Sequence, residues 1–393
     1  MRVAMPGILF VLVMAQPNLA TGMMPLYRST WQLAPLLVTV VFAAYLLALV
    51  PTLAVLGRPA GRTGWWWRIA VGVIAGVAAD IVMAVADSAT VACVARVAAG
   101  VSVGLVTGSI SGLVLERAGD RGRTTMATAT VLGSALGTVA AAVCAQYLPA
   151  PTVLVYLVHA GLLTAAGIGV VLDRAPLTEA AESPAPTVST SRLPADGAYR
   201  PVTGYVSGVS AWVSAGLVVA LLPSYGASLL ATDDLAVLAA PVTVYLVAAW
   251  LVQRVVPATS RMAKPVVAQT LIVVGVLVAG VVPLVPDVTV LLVAGVVAGT
   301  GQGLAYRSGL RIVSAASAPG DHARAAARYA AVSYLFAAVA TIAFGAVATA
   351  WSMSVAVVVA AVALGALLIT SVVAVRRRPA PASAPETPSD ALV

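Results

Sequence analysis

Twelve apolar runs follow one another along this chain, each about 20 residues or more, the length a helix needs to span a bilayer. They fall at roughly 6–27, 33–56, 65–86, 89–115, 124–147, 151–172, 202–225, 235–256, 265–286, 288–312, 325–349 and 353–375. In hydrocarbon every backbone polar group must be satisfied within the protein, so only helices and closed barrels span it. A barrel is written in alternating pieces of about 10 residues, and these runs are longer and unbroken. Composition agrees: 61% of the 393 residues are hydrophobic and 9% charged, against about 25% charged in soluble domains. The expected fold class is an all-α integral membrane protein with twelve transmembrane helices. Arg2 ahead of an apolar core and the small Ala20 also give the first run the look of a secretory signal. Such signals are shorter, and a first spanning helix is the better reading.

The connectors orient the chain, because Lys and Arg collect in cytoplasmic loops. With the N-terminus in the cytoplasm, the inward connectors and the tail, together with Arg2 at the N-terminus, hold all but two of the 22 Lys and Arg residues, the exceptions being Arg28 and Arg96. The outer loops carry Asp87, Asp233, Asp234 and Asp287. The net charge of +8 therefore follows from topology, and no nucleic-acid partner is needed to explain it. The expectation is a multi-pass protein of the inner (cytoplasmic) membrane with both termini inside. A cysteine placed at Ser189 should then resist labelling from outside. Cys93 and Cys144 lie in apolar runs and His159 and His322 lie far apart, so no disulfide, metal or cofactor is expected.

Residues 173–200, rich in Pro, Ala, Ser and charge, read as a flexible linker. They divide the chain into a six-helix bundle at 1–172 and another at 201–376. The tail, 377–393, has a disordered composition. The halves repeat. "AAGVSVGL" at 98–105 aligns with "VAGTGQGL" at 297–304, and "DRGR" at 120–123 with "DHAR" at 321–324. Parallel six-helix repeats with a solute site midway between them are one architecture of secondary transporters.

Between the second and third runs stands "VLGRPAGRTGWWWR", 55–68. It resembles the major facilitator superfamily signature G-x-L-A-D-R-x-G-R-R at Gly57, Ala60, Arg62 and Gly64. Gly61 replaces the family's Asp, Pro59 its Leu, and Trp65 and Trp66 its basic pair. The resemblance implies a conformational loop at Gly57, Arg62 and Gly64, in which Gly61 stands where the family's latching Asp would be. The three tryptophans suit the membrane interface. "RVAAGVSVG" is similar to the family's R-x-x-x-G-x-[GS]-x-G, with Arg96, Gly100, Ser102 and Gly104. "GSALGTVAAA" resembles the antiporter pattern G-x-x-x-G-P-x-x-G-G at Gly133 and Gly137, with Thr138 for Pro and Ala141 and Ala142 for the last glycines. Glycines at Gly100, Gly104, Gly133 and Gly137 let helices approach closely. "VTVVFAAYLLALVPTL" looks like the second helix of drug-efflux members. The resemblance covers about 375 residues and implies a drug-efflux-like, proton-antiporting transporter.

A charge at bilayer depth costs about 2.5–3.5 kcal/mol even on insertion scales, so Asp80, Arg96 and His159 need partners or tasks. Asp80 and Arg96 each lie eight residues from Ser88 at a hairpin tip, hence at matched depth, about 12 Å down. An ion pair between them is the expectation, either as a static lock or with Arg96 lining the cavity. His159 titrates near neutral pH and is the other candidate proton carrier. The second half offers Trp212, Tyr245, Tyr334, Phe336 and Gln302 at that depth. With Arg28 and Tyr45 they are the candidate walls of a solute cavity, and rings with few polar groups suit a partly apolar solute.

The function expected is secondary active transport of a small organic solute by alternating access, as a monomer in the lipid bilayer, with proton-coupled export as the first reading and proton-coupled uptake as the alternative. A membrane-embedded transferase is more distant, since Asp233–Asp234 is the one carboxylate pair in a loop. A nucleotide-driven pump is excluded, as no G-x-x-x-x-G-K-[ST] loop occurs.

Overall fold

The computed structural model describes residues 4–56, 61–172, 199–230, 232–318 and 321–376. Gly57, the interdomain linker (but for Tyr199 and Arg200) and the tail after Arg376 lie outside these residues. Among them every regular element is helical. The first half holds α1 (Ala4–Thr30), α2 (Pro35–Leu56), α3 (Gly61–Ala84), α4 (Ala89–Tyr147) and α5 (Leu154–Leu172). The second holds α6 (Pro201–Leu229), α7 (Leu235–Val255), α8 (Pro265–Ala279), α9 (Val288–Ala315), α10 (His322–Ala350) and α11 (Met353–Arg376), with a 3₁₀ turn at Arg261–Ala263 before α8.

The twelve runs all become helix, with two departures from the expected boundaries. The fourth and fifth runs share the helical element α4, where a connector at 116–123 was expected. Their neighbours show that they run in opposite directions. Gly100 and Gly104 follow α2 from Tyr45 to Thr52, whereas Gly133 and Gly137 follow α1 from Val11 to Ala15. Since α1 and α2 are antiparallel, the chain reverses between Val114 and Thr128. The ninth run is the second departure. Its α-helix is only 15 residues long, about 22 Å against a hydrocarbon core of about 30 Å. Pro283 explains the stop: it lacks an N–H and its ring crowds the carbonyl four residues back, which belongs to Ala279. Turns carry the run on to Leu284. The other eleven segments are long and apolar enough to cross a membrane.

Glycine sets the helix spacing, and it does so twice. A methyl group on Gly100 would strike the Tyr45 carbonyl of α2, and one on Gly299 would strike the Tyr245 carbonyl of α7. Gly104 lies likewise against Thr52, and Gly303 against the Ala249 carbonyl. The repeat read from two short sequence matches is therefore a repeated backbone contact. Overpacking of this kind costs about 1–3 kcal/mol. Gly100→Ala and Gly299→Ala are each expected to lower the unfolding midpoint in detergent. Gly108→Ala is the control that should leave it unchanged, because nothing lies within 4 Å of that Cβ.

The first half packs around α4, and the second around α6 and α9. Between the halves, α2 lies against α10, and the later part of α4 against α7. The face where α1 begins is called the start face below, and the face where it ends the far face. Trp65 packs on Gly112 and Trp66 joins the core, so of the three tryptophans only Trp67 is well exposed for an interfacial role. Arg62 and Gly64 stand in the first turn of α3 instead of in a loop.

Candidate functional site

Asp80, Arg96 and His159 are all buried, and the partners they choose differ from the expected ones. Asp80 Oδ2 lies 2.6 Å from His159 Nδ1. Its other oxygen, Oδ1, accepts a hydrogen bond from Gln16 Nε2 at 3.0 Å. Arg96 turns elsewhere: Nη1 donates to the Pro17 carbonyl at 2.8 Å and Nε to the Val41 carbonyl at 3.3 Å. The expected Asp80–Arg96 pair is not formed. Equal depth fixed the height of the two side chains but not their direction around the helix. The face of α4 turned toward α3 is marked by Ser102, which lies against Gly76. Arg96 is six residues away from Ser102, and at about 100° per residue it points about 120° aside, into the α1–α2 seam.

The hydrogen-bond pattern fixes where the protons sit. His159 Nε2 lies 3.0 Å from the Leu12 carbonyl, which can only accept, so Nε2 carries a proton. A second proton must lie between Nδ1 and Oδ2, because two lone pairs at 2.6 Å would repel. The pair is thus an imidazolium and a carboxylate, or a neutral imidazole and a carboxylic acid. Either way it is neutral overall and holds one proton more than a free neutral His and a carboxylate would. Gln16 is oriented by the same logic. Its Nε2 also donates to the Gly76 carbonyl at 2.6 Å, so its amide cannot be flipped. Gln16, overlooked in the sequence because only charges were sought at depth, ties this pair to α1.

Arg96 is a buried cation with no carboxylate beside it among the described residues. Its charge is met by the two carbonyls and by the rings of Tyr45 and Phe42, 5.0 and 6.0 Å from the guanidinium carbon. Hydrogen bonds to a charged group contribute about 1.5–3 kcal/mol each, and a desolvated cation–π contact about 2. Nη2 has no partner.

On the other side of Tyr45 and Phe42 lies a cavity of about 350 Å³ between the halves. Tyr45, Trp212, Tyr245, Gln302 and Tyr334 line it together with Tyr306, one helical turn beyond Gln302, and Asn18 and Thr107. Trp212 stands edge-on to Tyr334 and Tyr306, with centroids 4.4 and 5.9 Å apart. Tyr306 was missed; its spacing from Gln302 on one helix face was the available signal. Arg28 is elsewhere. It lies on a far-face depression of about 1030 Å³, and its Nη1 reaches across to the Ser224 carbonyl at 3.3 Å. Phe336 faces outward, 56% exposed. Neither is a wall of the central cavity. None of its described walls is an Asp, Glu, Lys, Arg or His. A cation in the cavity would sit one ring beyond Arg96, about 8 Å away, a repulsion of about 2 kcal/mol at an effective dielectric of about 20. An anion would gain that much and lose its hydration, which costs several kcal/mol without a direct partner.

α1 joins the two places. Leu12 and Gln16 meet the Asp80–His159 pair, while Phe10, Met14, Pro17 and Asn18 line the cavity. At the far face the halves are tied by side chains on helix ends. Leu36 N donates to Thr349 Oγ1 at 2.8 Å, Leu235 N to Gln146 Oε1 at 2.9 Å, and Tyr147 Oη to Asp234 Oδ2 at 3.2 Å. Asp234 also caps α7 through Ala236 N and Val237 N. That is a structural use for the one acidic pair that suggested a transferase. Gly133 and Gly137 press on the α1 backbone at Val11 and Ala15.

No family model matches the chain, and no curated protein matches it in sequence. Solved structures do match. The nucleoside transporter NupG, as its D323A mutant, superposes with a TM-score of 0.73 at 13% identity, over 95% of this chain and 100% of that one. A bacterial homolog to the human lysosomal transporter Spinster, inward-facing and occupied, gives 0.70 at 11% identity, over 97% and 98%. An auto-inhibited POT family peptide transporter gives 0.68 at 11% identity, over 97% and 99%. At such identities the likeness is one of fold: this multi-pass membrane protein has the all-helical fold of those transporters.

Proposed function

We propose that this chain is a proton-coupled secondary transporter of the cytoplasmic membrane, with both termini inside, which works as a monomer and exports a small organic solute in exchange for protons. The observation that carries the reading is the buried Asp80–His159 pair, whose two ring contacts, Nδ1 to Oδ2 and Nε2 to the Leu12 carbonyl, are both hydrogen bonds only when the pair holds an extra proton, on the opposite side of α1 from a cavity between the halves. Proton release leaves one ring N–H for two acceptors, the Asp80 carboxylate and the Leu12 carbonyl, so one of the two contacts is lost and Asp80 stands as a buried carboxylate beside a neutral imidazole. That is unfavourable unless α1 moves and water enters. Rocking of the halves would open the cavity to one face and then the other.

Export is favoured by the resemblance of the α2 stretch to efflux members and by the antiporter-like Gly133 and Gly137, seated here on α1. Uptake is the second reading; the fold neighbours include proteins described as nucleoside and peptide transporters. The test is transport of labelled solutes in oriented proteoliposomes under an imposed pH gradient. Dependence on the gradient establishes coupling, and the direction of solute flow relative to proton flow separates exchange from symport. Transport indifferent to the gradient would refute the coupling.

A further inference from the structure

A proton has to reach and leave the Asp80–His159 pair, yet neither residue meets water. Asp80 is 1% and His159 5% exposed, and neither lines the central cavity or the far-face depression. Toward the cavity α1 stands in between, with Leu12 and Gln16 against the pair. Toward the start face the seam of α3 and α5 is filled by apolar side chains, Leu163 against Gly76 and Val73 against Gly167. Toward the far face there are hydroxyls. Tyr156 precedes His159 by three residues on α5, so it shares that side of the helix and lies about 4.5 Å nearer the far face. Its hydroxyl accepts a hydrogen bond from that of Tyr27 at 2.9 Å. Tyr27 stands three residues from the end of α1, with its ring stacked on Trp31, centroids 4.4 Å apart. Both phenols are buried in a cluster built of Met23, Met24, Val38 and Met83. Packing alone does not call for them. A phenylalanine pair would fill the same space without the cost of burying two hydroxyls.

We propose that Tyr27 and Tyr156 are the relay that carries protons between the far face and the Asp80–His159 pair. The proposal rests on the proton-coupled reading and gives it a route. In the loaded arrangement Asp80 Oδ1 accepts from Gln16, Oδ2 shares its proton with His159, and Tyr156 bonds to Tyr27 instead of to the pair. The relay is then disengaged. Once the pair has lost its proton it also lacks a hydrogen bond, and Tyr156 is the hydroxyl one turn away on the far-face side. Reloading is a shift of protons along O–H bonds. Tyr156 Oη gives its proton to Asp80 Oδ2 and takes that of Tyr27, and Tyr27 Oη takes one from water at the far face. Each phenol ends as it began, and the pair holds one proton more. Arg96 gains a task in this scheme. It lies close enough to act on both phenols through its charge, which favours the moment when Tyr156 has given a proton and not yet received one. Cys93 and Cys144 are the other titratable side chains packed on this cluster.

The test is the rate of proton uptake by the purified protein in detergent after a drop in pH, read by stopped flow with an indicator dye. Asp80→Asn identifies the component that belongs to the pair, as the amplitude it removes. Tyr27→Phe combined with Tyr156→Phe takes away donor and acceptor together, which is close to neutral for folding. The double variant is expected to keep the amplitude and midpoint of that component and to slow it about 100-fold, the low end of what a positioned proton-transfer group contributes. Tyr156→Phe alone should slow it as much. Tyr225→Phe, a buried phenol near the end of α6 in the other half, should leave the rate as it is. Trp31→Ala uncovers the Tyr27 ring at the far-face end and should speed uptake. An unchanged rate in the double variant would overturn the relay. So would a shifted midpoint at an unchanged rate, which is the mark of a merely structural pair of phenols. Uptake no faster in Trp31→Ala would overturn the far-face entrance. If Asp80→Asn removes no component, the coupling reading itself falls and the relay with it; a component that is present but indifferent to the phenols removes the relay alone.

Discussion

Asp80→Asn is expected to bring proton-driven solute accumulation down to the passive level while leaving solute exchange across the membrane intact. Each pH unit of gradient is worth about 1.36 kcal/mol per proton, so a gradient of about 2 units drives about a 100-fold concentration ratio through one-proton exchange. The asparagine amide can donate to His159 Nδ1, as the bound proton does between Nδ1 and Oδ2, so the variant is fixed in the neutral, proton-loaded arrangement. The ratio should fall to about one. His159→Gln should do the same, because the proton belongs to the pair and not to either residue. With an Asp80–Arg96 pair the two variants would have behaved differently, one as lesion and one as control. The sign of the pH effect follows from which state holds the proton. The arrangement described here binds it, so acid favours this conformer, and raising the pH above the pair's titration range shifts the balance away by up to about tenfold per unit. The other groups near the pair are Gln16 on α1, Ser102 on α4, the Leu12 carbonyl and Tyr156 on α5, one turn from His159, whose hydroxyl is hydrogen-bonded to that of Tyr27. Normal accumulation by both variants would make the pair structural.

The parts of this arrangement that were legible in the sequence are those governed by one-dimensional quantities. Run length and composition led to the helices, and the spacing of Gly100, Gly104, Gly299 and Gly303 led to the repeat, since a helix that must meet a neighbour's backbone needs small residues one turn apart. Tyr45, Trp212, Tyr245, Gln302 and Tyr334 were named from depth and polarity and do line one cavity. Depth was not enough for the charged groups. Whether Asp80 meets Arg96 or His159 depends on the rotation of α3 and α4 about their own axes, which is decided by where Gly72 and Gly76 let the two helices touch. No pairwise spacing encodes that. Arg28 shows the opposite failure: its position near the end of α1 was known, but an Arg at a helix end can turn inward or across the face, and Ser224 on the other half captures it. The resemblance to efflux proteins concerned local motifs and contained no information about Gln16, Thr107 or the far-face hydrogen bonds, which lie outside those motifs.

Those hydrogen bonds carry the second large expected effect. The first four N–H groups of any helix have no partner in that helix. Here one from α2 and one from α7 are satisfied across the interface: Leu36 N by Thr349 at the end of α10, and Leu235 N by Gln146 at the end of α4. The two contacts are related by the internal repeat, α2 to α7 and the later part of α4 to α10, so each half caps a helix of the other. Thr349 is well placed for it, because its hydroxyl donates to the Gly345 carbonyl at 2.9 Å and keeps its lone pairs free to accept. Opening the far face must break both caps. A side-chain cap contributes about 1 kcal/mol, so Gln146→Leu with Thr349→Val should shift the closed-to-open ratio by about 2 kcal/mol, roughly 30-fold. Spin labels at Ser29 and Ser352, both exposed and on opposite halves, would report it as growth of a longer-distance population in electron–electron resonance. Each single variant should give about a fivefold shift. The caps lie at separate places, so the effects should add. Tyr147→Phe, which removes an exposed contact to Asp234, should shift the balance less. A distance distribution unchanged in the double variant would mean that the far face is held by packing of α2 on α10 and of α4 on α7, with the caps following the closure instead of maintaining it.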